Sequence, residues 1–311
     1  MTPPNLVRFV SIDSPDKPAI GTRVADTTIG LRTAYASYLA GGGEPVGGIV
    51  ELPDDMRAFI TGGDAFLAAA SAALAHPDIS ASTHPNSAVR LLVPVPDPRS
   101  IFMFGRIYQG HIDIGNYDQP PHPNFFLKGP NTLIGPDESI VLPPGWKTYT
   151  YGTELCLVLG RGGRGATLET AMDWVYGYTI CNDITARGEL QHKNKMFDTF
   201  APVGPCIIPK ANIADPQNMM MRTFVNGALT QEGSTALALW PLPRLIADLT
   251  EFVSVQVGDL ASTGDVGTVG LVTAGDTIEA SIEGIGVLAN PTVAGHGELP
   301  ARRPDRSEVA A

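Results

Sequence analysis

The sequence predicts an α+β fold that is mostly β: a mixed β-roll carrying a small N-terminal α/β domain. Three observations lead there. From Ile101 onward the chain breaks into short β-prone segments separated by Gly, Pro, Asn and Asp, with few helical stretches between them. These strands do not alternate with helices as a doubly wound sheet demands. The first hundred residues read differently, with two amphipathic helical stretches among short strands. The expected division is residues 1–95 as the N-terminal domain and linker, 96–292 as the β-roll, and 293–311 as a flexible tail.

Residues 6–12, LVRFVSI, and 21–31, GTRVADTTIGL, alternate enough to predict short strands. Helices are expected over 33–39 and 54–75, the second with FLAAASAAL as its apolar face. The stretch 76–100 is rich in Pro and Ser and reads as a linker with one strand. Beyond it, strands are expected over 100–105, 125–128, 139–142, 154–160 and 175–182. Others follow over 205–209, 219–225, 259–263, 276–282 and 286–289. Only 167–174 and 242–252 read as helices there. The tail AGHGELPARRPDRSEVAA has the polar, Pro-rich composition of a chain end that frays.

A chain of 311 residues with 43% hydrophobic side chains can bury a sizeable core, and its charged fraction of 17% is low. The formal net charge of −11 argues against nucleic acid or an anionic membrane as partner. No apolar run reaches the roughly 18 residues that span a bilayer. The opening MTPPNLVRFVSIDSPDK lacks a basic start followed by an apolar run, so no signal peptide is expected. Cys156, Cys181 and Cys206 are odd in number and sit in apolar or tight-turn contexts. They read as buried packing thiols in a reducing cytoplasm. Without a CxxC or a Cys/His cluster, a structural zinc site is not expected.

The run GRGGRG (160–165) lacks the spacing and the βαβ frame of a dinucleotide fingerprint and reads as a tight turn. No GxSxG elbow is present. Four segments stand out. FMFGRIYQGH (102–111) runs a strand into a turn presenting Tyr108 and His111. NFFLKGPNTLIGP (124–136) places Lys128 at the end of an aromatic strand. YGYTICNDITARGELQHKNKMFDTFAPVGP (176–205) gathers Asp183, Arg187, Lys195 and Asp198, and VGDLASTGDVG (257–267) follows later.

YTYGTELCLVLG (149–160) adds Glu154, a lone carboxylate entering an apolar strand, where burial demands a cationic partner. Asp183 follows an apolar strand much as Glu154 opens one. Carboxylates at the ends of adjacent strands can share a hard divalent cation. With Lys195 and Arg187 nearby they can equally form a salt-bridge cluster, and spacing alone leaves both readings open.

The ordered blocks FFLKGPNTLIGP, TELCLVLG, GYTICNDITAR, KMFDTFAPVGP, VNGALTQEGST, VGDLASTG and GDTIEASIEGIGVLAN resemble the C-terminal catalytic domain of the fumarylacetoacetate hydrolase family. The likeness covers roughly Ile101 to Asn290, and GTRVADTTIGL resembles the family's usual opening. It implies a mixed β-roll around a Mg²⁺ or Mn²⁺ site that cleaves, decarboxylates, hydrates or isomerises 2-oxo acids and 1,3-dicarbonyl compounds through an enolate. Position by position, Glu154 and Asp183 resemble family metal ligands, Lys195 the active-site lysine, and His111 the catalytic histidine. Lys128 and Gln231 match residues that line the cavity. Arg106, Tyr108 and Arg187 complete the expected substrate-binding set.

Four positions depart from the pattern, one of them Ile107, which stands where the family usually has an asparagine before the tyrosine. Gly152 stands where the family has the first glutamate of its acidic metal pair, which leaves occupancy by Mg²⁺ or Mn²⁺ open. Ile114 stands where a lid glutamate would assist the histidine, with Asp113 beside it as the substitute. Asp265 replaces a threonine that binds a substrate carboxylate, so either the substrate lacks one at that end or Asp265 has another task. The plainer alternatives are His111 as a hydrogen-bonded loop residue, Lys195 and Asp198 as a structural pair, and His122 and His192 as surface residues.

The resulting expectation is a cytoplasmic, homodimeric hydrolase or lyase acting on an enolisable oxo or 1,3-dicarbonyl small molecule. The alternative is a ligand-binding member of the same fold that has lost the metal, with the charge of Glu154 met by Lys195.

Overall fold

The computed structural model describes residues 2–188, 194–267 and 270–296. Its centre is a seven-stranded sheet ordered Asn124–Lys128, Ile101–Gly105, Leu260–Ser262, Thr153–Leu159, Val175–Asn182, Ala201–Pro209, Leu133–Ile134. The strand Thr153–Leu159 shows why this sheet lies in the middle. Leu155, Leu157 and Leu159 join one apolar cluster, while the intervening Cys156 and Val158 join another. A strand with both faces buried reads as a continuous apolar run, which is how TELCLVL reads.

On one side the cluster is completed by a five-stranded sheet ordered Ala228–Ser234, Met220–Val225, Thr277–Ile282, Gly286–Ala294, Ile140–Leu142, through Met221, Ala280, Ile282 and Leu288. On the other lie Leu31, Phe59 and Leu67 of the helices Leu31–Ala40 and Met56–Leu74. Those helices belong to the N-terminal five-stranded sheet, ordered Thr83–Pro85, Thr27–Gly30, Ser14–Val24, Val7–Ser11, Val89–Leu92. The helix Met56–Leu74 starts where Asp55 accepts a hydrogen bond from Ala58 N at 2.7 Å. Parallel pairs, such as Leu260–Ser262 with Ile101–Gly105, make the sheets mixed. The α+β, mostly β roll is therefore the observed fold.

Some expectations needed correction. The segment 167–174 is not a helix; only Ala171–Trp174 forms a single 3₁₀ turn. Thr167 and Thr170 bond each other's backbone N–H, which competes with helical pairing. The stretch 76–100 supplies two strands, not one, and they form both edges of the N-terminal sheet. Around His111 the expected turn is a short helix, Gln109–Gly115. The strand Ala228–Ser234 escaped notice because its residues, ALTQEGS, are mostly polar. Of the predicted tail, Gly286–Ala294 is strand to its end, and residues 297–311 lie outside the described residues. No described helix is long and apolar enough to cross a membrane.

Candidate active site

Glu154 is the second residue of its strand and pairs in register with Cys181, two positions before Asp183, which directly follows the neighbouring strand. Sheet geometry thus brings the two acids to the same end. Both line a cavity of about 200 Å³ together with His111, Lys195, Arg106 and Arg187. Asp265 and Phe126 also face it. A larger, open cleft of about 760 Å³ lies on the N-terminal unit, but there Arg32 pairs with Glu51 and Asp54, so its charges answer one another.

Asp183 is held by two lysines. Lys128 Nζ lies 2.7 Å from Oδ1, and Lys195 Nζ donates to Oδ2. Burial alone would push this carboxyl up, but the charges and hydrogen bonds of Lys128 and Lys195 outweigh it and bring the pKa down to about 2. Burial draws the Lys128 ammonium down, against the pull of Asp183. Nζ also donates to the carbonyls of Ile184, at 3.0 Å, and Phe200. Lys128 is thus a buried clamp beneath the cavity and does not line it.

Glu154 is treated differently. Its Oε2 accepts from Ser262 Oγ at 2.7 Å and Gly264 N at 3.0 Å, and no lysine or arginine forms an ion pair with it among the described residues. Lys195 forms its ion pair with Asp183 and acts on Glu154 only through space. Burial first, and then the charges of Asp183 and Asp265, push the Glu154 carboxyl well above the usual range.

Lys195 Nζ also donates to Thr185 Oγ1 at 3.0 Å and stands 4.7 Å from the Phe126 ring centre. It does not pair with Asp198, which accepts from Asn131 Nδ2 at 2.7 Å. Arg187 Nε donates to Thr150 Oγ1 at 3.2 Å. Arg106 has a φ of 59°, uncommon for a residue with a side chain, and lays its guanidinium 4.3 Å from the Tyr117 ring centre. Neither arginine forms an ion pair among the described residues.

His111 Nδ1 lies 3.2 Å from Asp265 Oδ2. Asp113 is not its partner, because it accepts from Gln109 Nε2 at 2.7 Å on the exposed side of the same helix. Asp265 Oδ1 accepts from Gln231 Nε2 at 3.1 Å and Gly267 N at 2.8 Å. Gln231 is buried, and its Oε1 accepts from Thr223 Oγ1 and Thr153 N, so it ties Asp265 to the start of the Glu154 strand. Tyr108 is also buried; it caps the helix of His111 and does not line the cavity. His122 is exposed, and His192 lies outside the described residues. Tyr117 and Asn124 line the cavity without having been expected there. An aromatic ring six residues after His111 was the available signal for Tyr117; Asn124 had none.

Among the described residues no three His, Cys, Asp or Glu side chains gather closely enough to cage an ion. The donor set nevertheless suits a hard divalent cation completed by water or substrate oxygens. Glu154 is a buried carboxyl that forms no lysine or arginine ion pair among the described residues, and Asp183 lies at the same end of the sheet with its two oxygens on Lys128 and Lys195.

Roll, cavity and side chains together describe a mixed β-roll enzyme with a polar cavity at one end of its central sheet. The sequence profile of the fumarylacetoacetate (FAA) hydrolase C-terminal family matches residues 100–293, and the chain belongs to that family. It is 33% identical over 304 residues to a mitochondrial oxaloacetate tautomerase of Xenopus laevis, covering 93% of this chain and 90% of that one. It is 37% identical over 206 residues to the Escherichia coli 4-hydroxyphenylacetate degradation bifunctional isomerase/decarboxylase, covering 64% of this chain and 48% of that protein. The match thus spans about half the length of the bifunctional enzyme. Among solved structures, a maleylpyruvate hydrolase from Sphingobium sp. SYK-6, in complex with manganese(II) and pyruvate, superposes with a TM-score of 0.76. Its identity is 29%, with 94% of this chain and 100% of that one covered.

Proposed function

We propose that the protein converts an enolisable 2-oxo or 1,3-dicarbonyl small molecule through an enolate in the cavity between His111 and Lys195. One observation carries this reading. Arg106 and Arg187 open onto the same cavity as His111 and Glu154, and neither has a carboxylate partner among the described residues. Two unanswered guanidiniums suit an anionic substrate, whose carboxylate they bind. Lys195, shared between Asp183 and Thr185, stabilises the oxygen on which negative charge develops. His111 transfers the proton. Phe104 and Phe126 form the apolar wall that limits water.

Glu154 and Asp183 are the residues that would hold Mg²⁺ or Mn²⁺, and the ion would supply Lewis-acid stabilisation of the enolate oxygen. In this reading Asp265 turns its carboxylate toward His111 and Gln231, which gives it a task other than meeting the substrate.

Residues 96–292 are the catalytic unit in this reading, with 1–95 packed against its central sheet. A homodimer suits the exposed Leu229 and Val287 of the five-stranded sheet. Three free buried thiols suit a reducing compartment, which we take to be the cytoplasm.

Hydrolysis, decarboxylation, hydration and isomerisation share the enolate, and a substrate panel separates them. The test uses oxaloacetate, followed for tautomerisation and decarboxylation, and maleylpyruvate, followed for hydrolysis, each with Mg²⁺ or Mn²⁺. Turnover of at least one is expected, falling by roughly 100-fold or more in His111→Ala and in Lys195→Ala. Unchanged turnover in both variants would sink the reading.

A further inference from the structure

We propose that Asp265 is the positioning acid of His111, and that residue 152 is glycine because the Asp265 side chain occupies the space a side chain at 152 would fill. The inference rests on the reading of His111 as the proton-transfer group.

The space is explicit. A Cβ built on Gly152 would lie 2.9 Å from Asp265 Oδ2 and 3.0 Å from its Cβ and Cγ. A side chain at 152 therefore requires the Asp265 side chain, the partner of His111, to shift from its place. The glycine that deprives the cavity of one carboxylate from the strand side makes room for another from the loop that follows Leu260–Ser262.

Asp265 is built in, not incidental. It is 9% exposed, and among the described residues Oδ1 accepts from Gln231 Nε2 and Gly267 N. That anchoring aims Oδ2 at His111 Nδ1, 3.2 Å away. The loop and the helix Gln109–Gly115 meet backbone against backbone. A Cβ on Gly110 would lie 2.6 Å from Val266 O, and one on Gly267 would lie 2.9 Å from His111 N. With no side chain between them, the distance from Asp265 to His111 is set by the packing of main chain on main chain.

As a carboxylate, Asp265 can only accept, so Nδ1 of a neutral His111 carries the hydrogen and Nε2 keeps the lone pair. A fixed tautomer makes the ring a base at one defined nitrogen. Neighbouring acids do not compete. Asp113 is bound to Gln109, and Ile114 is 53% exposed. The departures at 152, 114 and 265 thus reduce to one exchange.

The test is ¹⁵N NMR of the full-length protein labelled at histidine, with the His111 signals assigned by their loss in His111→Gln. The wild type is expected to show the Nδ1–H tautomer. Asp265→Asn is expected to lose its dominance and to lower kcat on the oxaloacetate or maleylpyruvate assay by about 100-fold or more, with KM changed less than kcat. Gly152→Ala is expected to shift the tautomer as Asp265→Gly does and to lower the Tm. In the Asp265→Gly background, Gly152→Ala is expected to leave the tautomer and the Tm where they were. Persistence of the Nδ1–H tautomer in Asp265→Asn, or additive effects at 152 and 265, overturns the proposal. Unchanged turnover in His111→Gln overturns the functional reading and the positioning role with it, whereas the tautomer reports on the pairing independently.

Discussion

Lys128 Nζ lies 2.7 Å from Asp183 Oδ1, and the lysine side chain is wholly buried. The pair sits directly under the cavity, so stability and function meet at one carboxylate. Asp183 faces Lys128 below and Lys195 above, and the two lysines differ in what surrounds them. Lys128 has no access to solvent, whereas the Lys195 side chain is 26% exposed.

Lys128→Met is accordingly expected to destabilise the protein by about 3 kcal/mol, since it removes the buried partner of Asp183 Oδ1 and leaves the Ile184 and Phe200 carbonyls without their donor. Lys195→Met is expected to change stability by less than about 1 kcal/mol while removing most turnover. Urea denaturation of both variants checks the contrast, and equal losses of stability would contradict it.

Glu154→Gln preserves the shape of the side chain and its bonds to Ser262 Oγ and Gly264 N, but removes the charge. Divalent cation binding should disappear with no fall in the Tm of the metal-free protein, because an amide is easier to bury there than a carboxylate. In the wild type, Mg²⁺ or Mn²⁺ at about 100 times its Kd should stabilise by about 2.7 kcal/mol. Calorimetric titration and thermal unfolding together measure both effects.

Arg187→Met should raise KM for an oxo acid by roughly 10- to 100-fold, the range expected when one charged hydrogen-bonded contact is lost. kcat should fall less. An unchanged KM would remove Arg187 from the binding set.

Alkaline stability follows from groups remote from the cavity. Burial raises Cys206 to about 12 and Tyr178 to about 12. In the unfolded chain these groups ionise from about 8.5 and about 10 upward. Below those values the folded and unfolded states bind the same protons and no stability is lost. As pH rises from about 9 toward 12, the unfolded state releases protons that the folded state keeps, and stability falls. Melting curves across that range should show a steady drop in Tm. Cys206→Ala and Tyr178→Phe should each flatten it.

Much of this was legible from local pattern. The strands Val175–Asn182 and Thr153–Leu159 announce themselves as apolar runs, and the helix Leu242–Phe252 by its periodicity. The strand Ala228–Ser234 did not, because its stability comes from pairing with Met220–Val225 and not from its own composition. The acids Glu154 and Asp183 were legible because each adjoins an apolar strand where charge has no local reason to be. Gln231 was expected at the cavity wall and instead spends both ends of its amide on protein partners, which only a full hydrogen-bond inventory reveals.

The sequence by itself determined the class of fold, the family and the identity of the charged residues at the site, because hydrophobic patterning and short motifs are local properties. It also marked Gly152, Ile114 and Asp265 as departures, one by one. Tertiary structure alone decided that they belong together. Asp265 is 154 residues from His111 in the chain and reaches it because a loop packs against a short helix through facing glycines. A space that one residue vacates and another fills leaves no trace in either residue's neighbours along the chain, and it becomes visible once the strands are paired and the cavity is closed.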